Sequence, residues 1–309
     1  MIQPLDSLAP LGWGPLAVSL GNFDGVHRGH ARLAAETVAR ARDLGGLAVV
    51  LTFDPHPTRV LHPEQAPSTL VTLGQKAELL GALGIDRLAV LPFTRALAGL
   101  EAEAFAREVL AGCLGASSVV VGSNFRFGRQ RAGDAAALQG FGAALGFEVR
   151  TVEPVLDGAL PISSTRIRSA LAAGDVAEAS RLLGRRFFVD GTVVAGDGRG
   201  RAIGVPTANV APDNETLPAA GVYACRLAIG DEPARPAVAN QGRRPTFGEG
   251  PPRLEVHVLD FDRDLYGVPV RVHFDARLRD ERRFASSEEL VRQIREDVAR
   301  ARQVLGDAI

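Results

Sequence analysis

The stretch Leu16-Ala17-Val18-Ser19-Leu20-Gly21-Asn22-Phe23-Asp24-Gly25-Val26-His27-Arg28-Gly29-His30 decides the fold of the first half of the chain. Its first five residues form a short apolar run closed by Gly21, the pattern of a buried strand. From residue 29 to 43, Leu33, Ala34, Val38 and Ala41 recur at helical spacing until Gly45-Gly46 stops them. Between strand and helix, Gly21 and Gly25 allow a sharp turn, and Gly29 lets a phosphate approach the backbone. The helix start supplies unpaired N–H groups and the positive end of a dipole. His27 and His30 are spaced to donate hydrogen bonds to a phosphoryl group that gains charge in a transition state. The same residues also accommodate two capping histidines in a polar loop. A third reading is a His-x-x-His metal pair, although no further Cys or His lies nearby in sequence.

Outward from this stretch the alternation continues. Strands are expected at Leu47–Phe53, Arg87–Leu91, Ser118–Val121 and Glu148–Val152, and helices around 73–83, 101–112 and 133–145. Strands alternating with helices predict a parallel sheet with right-handed crossovers, and ligands in such folds bind beyond the carboxyl ends of the strands. The region 163–183 is helical, and Gly184-Arg185-Arg186 marks the expected boundary between domains 1–184 and 185–309. Beyond it, Phe187–Val194, Val222–Ile229, Ala237–Asn240, Leu254–Asp260 and Val268–Phe274 are short β-rich runs separated by turn residues. They predict a small antiparallel β-barrel. The last element, opening at Ser286-Ser287-Glu288-Glu289, carries Leu290, Ile294, Val298 and Val304 as an amphipathic helix with a capping-like start.

Composition bounds the function. The 309 residues suit two domains, and 46% apolar with 23% charged residues is ordinary for a globular protein. The formal charge of −1 argues against non-specific binding to nucleic acid or to an anionic membrane. No run approaches a membrane-spanning length, and the first residues lack the pattern of a signal peptide. Cys113 and Cys225 are isolated, which excludes a disulfide scaffold and fits a reducing cytoplasm. Lys76 is the only lysine, so 34 of the 35 basic residues are arginine. Lys76 lies in Gly74-Gln75-Lys76-Ala77, without the Gly-Lys-Ser/Thr of a P-loop, so that phosphate chemistry is excluded. The arginine bias is read as a GC-rich genome rather than as thermostability.

Three further motifs sit at predicted strand ends or helix starts. Thr52-Phe53-Asp54-Pro55-His56-Pro57 places His56 either in a nucleotide pocket or in a structural turn. Val121-Gly122-Ser123-Asn124-Phe125-Arg126-Phe127-Gly128 offers an amide and aromatic rings that either contact a ligand ring or pack on each other. Ile162-Ser163-Ser164-Thr165-Arg166-Ile167-Arg168 brings hydroxyls and arginines to a helix start, a cap or a pyrophosphate site. In the second half, Gly191–Gly204 is a glycine-rich flap with Arg199 and Arg201, able to wrap phosphates with backbone N–H groups. Thr207 and Asn209 offer hard oxygens two positions apart, suited to Mg²⁺. Glu255 and His257 share a strand face, where a carboxylate could accept the proton of an attacking hydroxyl.

Together these motifs resemble the bacterial bifunctional riboflavin kinase/FMN adenylyltransferases, also called FAD synthetases. The residues that carry the resemblance are Gly21–His30, Ile162–Arg168, Gly196–Arg201, Gly204–Asn209, Arg244-Pro245-Thr246-Phe247, Leu254–His257, Leu265-Tyr266-Gly267, Arg279-Asp280-Glu281 and Gln293–Asp297. The resemblance spans nearly the whole chain and departs at Gln241, where an apolar residue is expected. It implies a Rossmann-like nucleotidylyltransferase domain followed by a β-barrel kinase domain that ends in a helix. It implies His27 and His30 as catalytic residues of adenylylation. Gly21, Asn22, Phe23, Asp24, Gly29, His56, Ser164, Thr165 and Arg168 would bind nucleotide or phosphate there. Asn124 and Phe125 would contact flavin. In the kinase it implies Glu255 as base, Gly198, Arg199, Gly200 and Arg201 as phosphate-binding, and Thr207 and Asn209 as ligands of Mg²⁺ or Mn²⁺. ATP, riboflavin and FMN would be the small-molecule substrates, with no nucleic-acid or membrane partner; the oligomeric state is left open.

Two other functions fit parts of the pattern. An aminoacyl-tRNA synthetase-like enzyme needs a Lys-Met-Ser-Lys-Ser-type loop, which a chain with one lysine and one methionine cannot form. A flavin carrier without turnover is weakened by the presence of Thr207, Asn209 and Glu255 together.

Overall fold

The computed structural model describes residues 2–5, 8–196, 204–242 and 253–306. Gly198, Arg199, Gly200 and Arg201, and the Arg244-Pro245-Thr246-Phe247 motif, lie outside the described residues. The chain divides into two compact units, Met1–Ser163 and Ser164–Ile309.

The first unit is built on β1 (Ile2–Pro4), β2 (Leu16–Leu20), β3 (Leu47–Asp54), β4 (Arg87–Pro92) and β5 (Ala116–Gly122). A short ribbon of β6 (Arg126–Phe127) and β7 (Gly133–Asp134) follows, then β8 (Glu148–Val152), then a second ribbon of β9 (Leu156–Asp157) and β10 (Leu160–Pro161). The main sheet has the order β1-β4-β3-β2-β5-β8 and every pairing in it is parallel. Alternate residues of its strands bury into two separate cores, as a parallel sheet covered on both faces requires. Leu16, Val18, Leu20, Val49, Leu51 and Val121 join Phe105, Leu110 and Leu138 in one core. Ala17, Ala48, Val50 and Leu88 join Ala34, Ala41 and Leu80 in the other. The helices Arg28–Leu44 and Leu73–Ala82 therefore cover one face, and the helices after residue 101 cover the other. The helix expected at 101–112 begins as Ala102–Phe105 and widens to a π-helix over Ala106–Cys113. β1 had no counterpart in the sequence reading, being only three residues long at the sheet edge.

The second unit opens with two helices, Ser164–Ala172 and Val176–Leu183, where one helical region is expected. Gly174, at φ 77°, breaks the run, and Asp175 caps the second helix by accepting from Glu178 N–H. These helices bond to the barrel: Leu171 O accepts from Ala219 N–H (2.8 Å), Ala173 O from Arg277 (3.0 Å), and Ser180 Oγ from Phe187 N–H (3.1 Å). The division by packing therefore falls ahead of the Gly184 turn.

The barrel strands are β11 (Phe187–Val194), β12 (Ala208–Pro212), β13 (Gly221–Ile229), β14 (Arg235–Gly242), β15 (Arg253–Val258) and β16 (Pro269–Arg279). They close in the order β11-β12-β15-β14-β13-β16, all antiparallel. β12 is the strand the sequence conceals, because Ala208-Asn209-Val210-Ala211-Pro212 has one β-branched residue and only Val210 is buried. The rings of Phe187, Tyr223 and Phe274 pack together, and Tyr223 donates its hydroxyl to Ala219 O. The last helix, Ser287–Leu305, starts at a Ser286 cap and lays Ala301 and Leu305 over Val222, Ala224, Val238 and Leu278. It is pinned by Asp297, which accepts from both Arg279 (2.8–3.1 Å) and Gln293 (3.0 Å). Gln241 is 6% exposed, and its Oε1 has no hydrogen-bond partner among the described residues.

Candidate active sites

In the first unit, β2, β3 and β4 succeed one another toward one edge, whereas β5 and β8 lie on the other side of β2. The order reverses between β2 and β5, and ligands of such sheets bind beyond the carboxyl ends there. The loop after β2 opens the helix Arg28–Leu44 at this place. His27 is the helix cap: its Nδ1 accepts from Gly29 N–H (3.1 Å) and His30 N–H (3.3 Å). With Nδ1 occupied as an acceptor, a neutral ring carries its proton on Nε2, so His27 presents an Nε2–H donor. Capping and phosphate donation are thus compatible functions of one ring, one for each nitrogen. A metal pair would need a lone pair that the capped tautomer does not offer, and no group of three or more His, Cys, Asp or Glu among the described residues is placed to hold a metal.

His30 stacks on His27 at 3.6 Å and tilts over Phe23 at 4.9 Å. A Cβ on Gly29 would stand 3.1 Å from the His27 ring, so this glycine makes room for the cap itself, a local reason beyond the phosphate approach expected of it. Gly25 has φ 81°, as its turn role requires, whereas Phe23 (46°) and Val26 (41°) take left-handed conformations that glycine would adopt more readily. Such residues cost about 1–3 kcal/mol each and persist where the surroundings over-determine them. The surroundings are visible here. Asp24, buried, accepts from Leu70 N–H (2.9 Å). Asn22 O accepts from Thr52 Oγ1 (3.2 Å) and Lys76 Nζ (2.7 Å).

His56 caps the short helix Pro57–Leu61 through Nδ1, which accepts from Thr58 N–H, and its Nε2 lies 2.9 Å from the Asn22 amide. It therefore ties the end of β3 to the histidine loop. Phe125 stacks on Phe127 (5.4 Å), which meets Phe105 edge-on, and both rings join the core, so packing accounts for this pair. Asn124 is exposed, just beyond the end of β5, with its Oδ1 folded toward Gly122. Ser164, Thr165 and Arg168 occupy the start of the first helix of the second unit, Thr165 exposed and the other two half-buried. Arg166, between them, is committed to an ion pair with Glu178 at 3.2 Å.

In the barrel, strand register assembles a polar row. Asn209 on β12 is the direct partner of Glu255 on β15, which is the direct partner of Asn240 on β14. Residues directly opposite share a sheet face. Asn240 continues to Val222, which the last helix covers, so the row is on the outer face of the barrel. Thr207 immediately precedes β12. Asn209 needs space that only glycine leaves: a Cβ on Gly196 would fall 2.1 Å from its Nδ2. Glu281 reaches the same place. Its carboxylate lies over Gly242 and bonds Asn240, and burial, with the charge of Glu255 adding to it, pushes its carboxyl above the ordinary range. His257 Nδ1 lies 2.8 Å from Pro206 O, an acceptor only, so this ring donates there and braces the segment leading to Thr207. The donors around Thr207 and Asn209 are hydroxyl, amide and carboxylate oxygens, a set that fits Mg²⁺ shared with substrate phosphates.

Asn240, Glu281, Thr52 and Lys76 are the participants that sequence reasoning missed. Asn240 could have been found by extending the strand pairing from Glu255, and Lys76 by asking why a chain of arginines keeps one lysine.

A doubly wound sheet with a His-x-Gly-His helix start, in one chain with a barrel carrying a Thr-x-Asn/Glu row, defines a two-unit, nucleotide-dependent transferase. The FAD synthetase family matches residues 12–166 and the riboflavin kinase family matches residues 183–305. The chain is 43% identical to the bifunctional riboflavin kinase/FMN adenylyltransferase of Pseudomonas fluorescens, covering 98% of this chain and 96% of that one. It is 38% identical to the protein of that description from Escherichia coli K12, covering 99% and 98%. A crystal structure described as a macrolide-efflux protein from Streptococcus pneumoniae superposes with a TM-score of 0.89 at 34% identity, covering 97% of this chain and 98% of that one. Among the described residues no helix is long and apolar enough to cross a membrane. The chain belongs to the bifunctional riboflavin kinase/FMN adenylyltransferase family.

Proposed function

We propose that this chain makes FAD from riboflavin in two ATP-dependent steps, one at each of the sites described above. The barrel phosphorylates riboflavin to FMN, and the parallel-sheet domain adenylylates FMN to FAD with release of pyrophosphate. The observation that carries this reading is the succession of the two family matches along one chain, the first over the histidine loop and the second over the barrel and its polar row.

In the kinase step the ribityl hydroxyl oxygen attacks the γ-phosphorus of ATP, its proton passes to Glu255, and ADP leaves. His257 donates through Nδ1 to Pro206 O, which leaves its Nε2 lone pair as the competing acceptor, and the family motif decides for Glu255. Thr207 and Asn209 would hold Mg²⁺, or Mn²⁺, which when bound neutralises phosphate charge in such transfers. Gly198, Arg199, Gly200 and Arg201 are assigned to the phosphates on the sequence motif alone. In the adenylylation step a phosphate oxygen of FMN attacks the α-phosphorus of a second ATP. His27, through Nε2–H, and His30 donate to the oxygens that gain charge. Gly21, Asn22, Phe23, Asp24, Gly29 and His56 shape the nucleotide side, Ser164, Thr165 and Arg168 serve the pyrophosphate, and Asn124 and Phe125 lie on the flavin side.

The division of activities is placed at 184/185, residues 1–184 carrying adenylylation. The helices of Ser164–Leu183 lose their barrel partners in that fragment, so it should adenylylate more weakly than the full chain. A folded 1–184 fragment without any adenylylation would move the boundary. We place the enzyme in the cytoplasm, because Cys113 and Cys225 are both buried and neither is joined in a disulfide. The deciding experiment is incubation of the purified chain with riboflavin, ATP and Mg²⁺ followed by separation of the flavins. Turnover to FMN and then FAD is expected; riboflavin retained stoichiometrically without product would make the chain a carrier instead.

A further inference from the structure

We propose that Lys76 is a positioning residue of the adenylylation site, its ammonium pinning the Asn22 carbonyl and with it the start of the histidine loop. The inference rests on the adenylyltransferase reading above. Lys76 sits in the helix Leu73–Ala82, and its Nζ donates to Asn22 O (2.7 Å) and Thr52 Oγ1 (3.3 Å). Thr52, fully buried, donates its own hydroxyl to the same carbonyl (3.2 Å). The two lone pairs of Asn22 O are thus both used, one by a charge-assisted bond.

The carbonyl held in this way lies one residue before Phe23, the first left-handed residue of the strained loop, and the Asn22 side chain meets His56. A bond at that point resists relaxation of Phe23 and Val26, and the position of His27 and His30 follows from theirs. Composition gives an independent argument. Every other basic residue of the chain is arginine, so the chain's one lysine falls where an ammonium reaches both the Asn22 carbonyl and the Thr52 hydroxyl. A compact ammonium can aim converging donors at two oxygens within a confined space, which a planar guanidinium fork does not do.

The charged groups facing the ammonium are Asp24 of the loop and Asp54 at the end of β3, with His56 one residue pair away through Asn22. Burial outweighs the pull of the two carboxylates and lowers the lysine below its ordinary value. The charge on the clamp is therefore lost at lower pH than on a free lysine.

The test uses the full chain, with riboflavin phosphorylation as an internal control. Lys76→Met should lower conversion of FMN to FAD by about 10–100-fold, the scale of a lost charged hydrogen bond, and leave riboflavin phosphorylation unchanged. Wild-type adenylylation should fall on the alkaline side before an ordinary lysine titrates. Lys76→Cys alkylated with bromoethylamine, confirmed by mass spectrometry, regenerates an ammonium of lower pKa. It should recover most of the activity and move the alkaline limb to lower pH. Wild-type adenylylation by Lys76→Met would overturn the inference. So would parallel loss of both activities with a lowered Tm, or an alkaline limb that the alkylated variant leaves in place. A wild-type chain that makes FMN but no FAD would instead overturn the adenylyltransferase reading.

Discussion

The two sites are built by different devices. In the parallel-sheet unit, side chains hold a strained loop: His27 caps the helix, Asp24 takes Leu70 N–H, His56 meets Asn22, and Lys76 and Thr52 hold the Asn22 carbonyl. In the barrel, backbone register lines up Asn209, Glu255 and Asn240, and the ladder would place them for any side chains. A loop fixed by side chains is sensitive to many single substitutions around it. A row fixed by register is sensitive to the residues in the row and to whatever keeps the barrel closed. The lesson is that remote substitutions should act on adenylylation through geometry, and on phosphorylation through stability.

The largest test of this contrast is Glu255→Gln. It keeps shape and hydrogen bonding but cannot accept a proton near neutral pH. Riboflavin turnover should fall by about 10²–10⁴, with flavin binding and FMN adenylylation little changed, as read by separate assays of the two steps. If His257→Gln were dead and Glu255→Gln near normal, the base would be the histidine and the register argument would point two residues too early.

His30→Ala removes one preorganised donor from the other site. Adenylylation should drop by about 10²–10³ while riboflavin phosphorylation persists. An unchanged FMN-to-FAD rate would leave His30 as a packing partner of His27 and Phe23 only.

Asp297→Ala sharpens the stability side. It leaves Arg279 without its carboxylate in a site where Asp297 is 1% exposed. Breaking a buried pair by removing one partner costs about 3–5 kcal/mol. Calorimetry should show the barrel transition lowered, with kinase activity normal below it and the parallel-sheet unit unaffected.

The smallest effect is expected from Gln241→Leu. The buried Oε1 has no partner in the described structure, and an unsatisfied buried polar group costs about 1–3 kcal/mol. An apolar side chain of similar length should raise the barrel Tm by a few degrees without changing riboflavin turnover. A drop in turnover would give Gln241 a ligand-facing role.

Periodicity alone was enough for most of the architecture. Leu16–Leu20, Glu148–Val152 and Phe187–Val194 all lie where the sequence pattern puts them, because short β-rich runs bounded by turn residues are written directly into the order of side chains. The histidine loop and its helix were legible for the same local reason: glycine, cap and helical spacing occur within fifteen residues of one another. What lay beyond local pattern had to wait for packing. β12 was hidden because its pairing with β11 and β15, rather than its own propensity, makes it a strand. The helices before Gly184 were assigned to the first domain from their order in the chain, whereas their hydrogen bonds go to the barrel.

Sequence determined which chemistry is present: two histidines at a helix start, a Thr-x-Asn pair, a strand glutamate, one lysine among arginines. Tertiary structure decided what each group is free to do. It put a proton on His27 Nε2 by occupying Nδ1, engaged His257 with a carbonyl, set Glu281 beside Glu255, and brought Lys76 to Asn22 from 54 residues away. Residue identity fixes a group's donors and acceptors, but which of them remain for a substrate depends on neighbours that only folding supplies.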